Sequence, residues 1–138
     1  MDPAAERALQ EEDELELVTI GRRTGRDHPV RVAFVYQDDV IWLRTEERPP
    51  APDASGVRRR TRRERDPDWL RNLQARPIAT VRVRGLKLPV RYEPSTDPDA
   101  DLRRIVDGMR AKYGPGWVED WYVDRGRVPV KLRLQKDL

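Results

Sequence analysis

Along much of this chain apolar and polar residues alternate with period two, the pattern of strands that bury one face. The first run, Leu15-Glu16-Leu17-Val18-Thr19-Ile20, is rich in β-forming residues. Val30 to Tyr36 follows, with Val30, Val32, Phe34 and Tyr36 on one face and Arg31, Ala33 and Val35 on the other. Between them lies Gly21-Arg22-Arg23-Thr24-Gly25-Arg26, so the two runs predict a hairpin. After Gln37-Asp38-Asp39, Val40 to Leu43 predicts a third strand, antiparallel to the second because the connection is so short. Ile78 to Arg84 predicts a fourth. Gly85 turns it into a fifth, Leu86 to Glu93, where Pro89 points to an edge or a bulge. Val128 to Leu134 alternates as the sixth.

Elsewhere the period changes to that of a helix. Residues 1–14 predict a short N-terminal helix or arm, with Asp2 as N-cap and Pro3 at the first helical position. Asp66-Pro67 repeats that signal before Trp69, Leu70 and Leu73, which share one face, and Pro77 ends the helix near Arg76. Asp97-Pro98 opens the main helix, with Leu102, Ile105, Val106, Met109 and Tyr113 at helical spacing and Gly114-Pro115-Gly116 as the stop. The order of elements predicts an α+β, mainly β architecture. It is a six- or seven-stranded antiparallel barrel of split form with two to four flanking helices.

Residues 44–65 break the pattern, with almost no apolar residue, three prolines and then Val57 to Arg65, which holds six arginines. A loop of this length is usually functional or disordered. Its basic half would suit a nucleic acid, an acidic partner or the surface of an anionic membrane. Base-stacking aromatics do not interleave with the arginines, which argues against nucleic acid.

At 138 residues the chain is expected to form one domain, residues 1–138. Without cysteine there is no disulfide framework and no thiolate chemistry. A single histidine, His28, excludes a multi-histidine metal site. No stretch is apolar enough for a leader or a membrane span, so the chain reads as soluble and cytoplasmic. The Gly21–Arg26 turn is the chemically distinctive stretch. Its glycines let a backbone bend tightly and approach a ligand, its successive N–H groups can form an anion-binding concavity, and its arginines add forked donors. A solvated basic turn is the competing reading.

Three blocks taken together resemble the deazaflavin (F420)-dependent nitroreductase family, within the split-barrel flavin and deazaflavin oxidoreductases related to pyridoxamine-phosphate oxidases. They are Leu17 to Gly25 with Pro29-Val30, Asp66 to Pro77 leading into Val81-Arg82-Val83, and Tyr113 to Leu134. The resemblance implies a hydride transfer between coenzyme F420 and a small organic acceptor, of the nitroreductase or quinone-reductase kind. FMN is the alternative cofactor, and a barrel that binds another ligand without deazaflavin catalysis is the alternative function. It places the cofactor's phosphate and acidic tail near Arg22, Arg23, Thr24, Gly25 and His28, with Thr45 and Trp69 as further contacts. It sets Trp117 and Trp121 in the substrate pocket. Tyr113 and Tyr122, by their place in the same aromatic segment, are the candidate proton donors to the acceptor. A homodimer is compatible with it. The chain departs from the family after the third strand, where Leu43-Arg44-Thr45-Glu46-Glu47 replaces a glycine-containing segment.

Overall fold

The computed structural model describes residues 2–45, 67–115 and 128–135. Helix α1 (Pro3–Glu11) precedes strands β1 (Glu14–Ile20), β2 (Asp27–Ala33), β3 (Val35–Gln37) and β4 (Val40–Arg44). Helix α2 (Asp68–Ala75), strands β5 (Ile78–Val83) and β6 (Leu86–Glu93), helix α3 (Pro98–Tyr113) and strand β7 (Pro129–Leu134) complete the described chain. All strand pairs are antiparallel, in the order β2-β1-β5-β6-β7-β4-β3. This half-barrel with three helices is the expected α+β, mainly β, split-barrel class, with seven strands where the sequence pattern marks six runs.

The extra strand arises from a break. The expected second strand, Val30 to Tyr36, divides at Phe34, so β2 pairs with β1 and β3 pairs with β4. The two halves thus lie at opposite ends of the sheet. The alternation of faces survives the break: Val30, Val32, Phe34 and Tyr36 all join the larger core, and Ala33 and Val35 the smaller one.

The break is held from far along the chain. The Tyr113 hydroxyl accepts from the Phe34 amide at 3.1 Å and lies 3.0 Å from the Phe34 carbonyl and 2.6 Å from the Asp13 carbonyl. The Lys112 ammonium donates to the same Phe34 carbonyl at 3.0 Å and sits 3.4 Å from the centre of the Phe34 ring. Backbone groups that leave a ladder must find other partners, and the end of α3 supplies them.

Two cores follow from the two faces of the sheet. The larger gathers Leu15, Leu17, Ile41, Leu43, Val81, Val90, Val130 and Leu132 with Ala8 and Leu9 of α1 and Trp69, Leu70 and Leu73 of α2. The smaller packs Ile105, Val106 and Met109 of α3 on Ala33, Val40 and Trp42. Strand β4 is therefore buried on both faces. Gly108 permits the close approach of α3, since a Cβ there would stand 2.8 Å from a Val35 methyl.

Helix starts behave largely as expected. Asp2 and Asp97 cap α1 and α3 by accepting from Ala4 and Ala100 amides. At α2 the boundary moves by one residue: the extended Pro67 is the N-cap and Asp68 the first helical residue, while Asp66 lies outside the described residues. Pro89 does not mark an edge, because β6 lies between β5 and β7. Its carbonyl accepts from Gln135 just beyond the last β6–β7 pair, Val90 with Leu134. A strand residue points its N and its carbonyl to the same side, so the missing N–H falls where the ladder ends.

Burial pulls the Lys112 ammonium from its ordinary 10.5 down to about 8, against the opposing pull of Asp13 and Glu12. Burial, with Glu6 and Asp39, pushes the Tyr36 hydroxyl up to about 12. Between pH 8 and 10 the unfolded chain keeps a Lys112 proton that the folded chain has released, so this site adds stability as pH rises. Urea midpoints over that window should climb more steeply in wild type than in Lys112→Met. Parallel curves would refute the assignment.

Candidate functional site

The β1–β2 turn owes its shape to its two glycines. The Gly21 amide donates to the Arg26 carbonyl and the Gly25 amide to the Gly21 carbonyl, both at 2.8 Å. Gly25 has φ +70°, in the left-handed region that L side chains resist. Gly21 is a cradle of another kind: a Cβ there would stand 2.6 Å from Thr24 Oγ1, which itself accepts from the Arg26 amide at 3.2 Å.

The turn is bolted to α2 by one buried side chain. Asn72 Oδ1 accepts from the Arg22 amide at 3.2 Å and from Arg22 Nη1 at 2.9 Å, and Asn72 Nδ2 donates to Thr19 Oγ1 at 3.1 Å. Thr19 lies on the inward face of β1 with Leu15 and Leu17 and is 0% exposed; Asn72 is 3% exposed. The Thr19 hydroxyl donates in turn to the His28 carbonyl over a long 3.5 Å. Arg22 Nη2 reaches Asp68 at 3.1 Å. Two polar side chains on otherwise apolar faces thereby satisfy each other.

Gly21, Arg22, Arg23, Thr24, His28, Asp68 and Asn72 line a cleft of about 160 Å³. Arg23 and Arg26 are exposed, and among the described residues neither has an ion-pair partner. The cleft thus offers two guanidinium groups, an imidazole and a hydroxyl against one carboxylate, and Arg22 already holds that carboxylate. Such donors suit a phosphate or carboxylate ligand.

Four of the residues expected from the sequence, Arg22, Arg23, Thr24 and His28, meet at this cleft, and Gly25 closes the turn behind it. Three others lie elsewhere. Thr45 is buried, where it exchanges hydrogen bonds with Val128 at 3.0 and 2.9 Å and extends the β4–β7 ladder. Trp69 is buried in the larger core. Tyr113 holds the Phe34 break. Trp117, Trp121 and Tyr122 lie outside the described residues, as do Arg58 to Arg65. Among the described residues no cluster of acidic and histidine side chains could hold a metal ion. The cleft also contains Asp68 and Asn72, which the sequence reading did not select for it. An asparagine between Trp69 and Leu73 on a buried helical face was the available signal.

Comparison with known proteins decides the family. The model of the F420H(2)-dependent quinone reductase family matches residues 4–134. The chain belongs to that family. It is an F420-dependent oxidoreductase, with coenzyme F420 as cofactor. No curated protein matches the chain. Solved structures share its fold at low identity. A FAD-binding protein from Mesorhizobium loti aligns with a TM-score of 0.63 at 13% identity, covering 99% of this chain and 91% of that one. A protein described as an F420 reductase aligns with a TM-score of 0.62 at 18% identity, covering 95% and 93%. An F420-H2 dependent reductase aligns with a TM-score of 0.60 at 15% identity, covering 90% and 95%. No helix among the described residues is long and apolar enough to cross a membrane.

Gly21→Ala should cost about 1–3 kcal/mol, because the added methyl displaces Thr24 Oγ1 from the Arg26 amide. In Gly21→Ala/Thr24→Ala the two costs should fall short of their sum. Strict additivity in chemical denaturation would mean that the two positions do not touch.

Proposed function

We propose that the cleft at the Gly21–Gly25 turn receives the anionic phosphate and carboxylate end of F420, and that the protein reduces a small quinone-like or nitro-bearing acceptor. The supporting observation is the exposed, unmatched Arg23 on a turn whose backbone is pinned to α2. The donor set fits the group: Arg23, the Thr24 hydroxyl and His28 line the cleft, and glycine at position 21 leaves the Thr24 hydroxyl its place.

When bound, reduced F420 supplies the hydride. The chain's own residues bind and orient. Arg23 contributes a charge-assisted contact from a main chain whose place is set by the neighbouring Arg22–Asn72 bond. The Thr24 oxygen already accepts from the Arg26 amide, so its O–H is left to donate to the ligand. We assign the acceptor side to Trp117, Trp121 and Tyr122 on the family resemblance alone. Tyr113 has a tethering role, with its hydroxyl directed at two main-chain carbonyls. The protein acts in the cytoplasm on this reading.

The test is titration of purified protein with F420, FMN and FAD side by side. F420 should bind and the two flavins should not, and Arg23→Gln should weaken F420 by roughly 10–100-fold, the weight of one charge-assisted hydrogen bond. Tyr113→Phe should lower the melting temperature and leave turnover per folded enzyme unchanged. Flavin binding in place of F420 would overturn the cofactor reading, and loss of turnover in a stable Tyr113→Phe protein would return that tyrosine to the chemistry.

A further inference from the structure

We infer that the paired arginines of the turn have divided roles: Arg22 is a strut held by Asn72, which is the positioning residue of the site, and Arg23 is the cation that meets the ligand. The inference rests on the F420 reading above and sharpens it.

In the sequence Arg22 and Arg23 are equivalent neighbours. In the structure one amide oxygen, Asn72 Oδ1, takes both the main-chain N–H and the Nη1 of Arg22. The remaining terminal nitrogen, Nη2, is spent on Asp68. The Arg22 side chain is 21% exposed, while Arg23 is exposed and has no ion-pair partner among the described residues.

The orientation of the Asn72 amide is fixed by chemistry. Reversing it would set its NH₂ against two Arg22 donors. The correct orientation directs Nδ2 at the fully buried Thr19 hydroxyl. Thr19 and Asn72 are almost wholly shielded, so water cannot substitute for either partner. Thr19 therefore orients Asn72, Asn72 orients Arg22, and the fixed Arg22 main chain presents Arg23 and Thr24 to the cleft.

Four variants of the full chain test this: Asn72→Asp, Asn72→Leu, Thr19→Val and Arg23→Gln. Two quantities are read. One is hydrogen exchange at the Arg22 amide without cofactor. The other is F420 affinity from quenching of the cofactor's fluorescence. Asn72→Leu and Thr19→Val should speed Arg22 exchange and weaken F420, each roughly tenfold. Asn72→Asp should keep the Arg22 amide protected, because the Thr19 hydroxyl can turn to donate to the new carboxylate. Its weaker F420 binding should reflect added charge and shrink as salt rises. Arg23→Gln should weaken F420 with Arg22 exchange unchanged.

Wild-type exchange in Asn72→Leu would overturn the positioning role. Normal F420 binding by Arg23→Gln, with protection intact, would overturn the division of roles. If Asn72→Leu does not fold, Thr19→Val decides the first point: wild-type Arg22 exchange there would overturn the positioning role. If the wild-type protein itself fails to bind F420, the cofactor reading falls, and the exchange measurements still decide whether Asn72 holds the turn.

Discussion

A single buried amide oxygen, Asn72 Oδ1, joins the β1–β2 turn to α2, and the basic cleft exists because of that joint. A turn of two glycines and three arginines over Gly21 to Arg26 would otherwise be a solvated loop, since like charges in sequence repel and gain nothing from order. Here the order comes from desolvated partners. Thr19 and Asn72 each bring a polar group into an apolar face, and each would cost stability alone. Together with the main chain and guanidinium of Arg22 they form a satisfied chain of hydrogen bonds that fixes the turn relative to the helix.

The same logic operates at the other end of the sheet. The break at Phe34 lets one alternating run serve both sheet ends, and Tyr113 and Lys112 take up the main-chain groups that the ladder abandons. Surface ion pairs such as Arg84 with Glu11 or Arg82 with Glu16 are exposed and add little by comparison. What separates the two junctions is accessibility. The Phe34 junction turns its polar groups inward to the main chain, whereas the Gly21–Gly25 junction leaves Arg23 facing a cleft. The proposed occupant of that cleft, the anionic end of the family's cofactor, has matching charge.

Much of the fold was legible because the forces that set it are local. Period-two alternation marked β5, β6 and β7, runs of β-forming and apolar residues marked β1 and β4, and the Asp-Pro pairs at positions 2–3 and 97–98 marked two helix starts. The basic turn was legible too, through glycine spacing. The division of Val30 to Tyr36 was not, since its alternation continues unbroken and the groups that end the ladder lie 78 and 79 residues away. The central position of β6 was hidden for a like reason: Pro89 is harmless only because β7 ends opposite it.

The sequence by itself determined the strand faces, the helix caps, the basic glycine turn and, through three blocks of resemblance, the family. Those properties depend on residues close in the chain or on motifs carried in order. Only the tertiary structure decided which turn residues are spent on the scaffold and which face the cleft. It took α2, fifty residues away, to occupy Arg22 and leave Arg23 open. It took the core to claim Trp69 and the β4–β7 ladder to claim Thr45. A hydrogen bond satisfied across the fold removes a side chain from the set available to a ligand, and no local pattern records that removal.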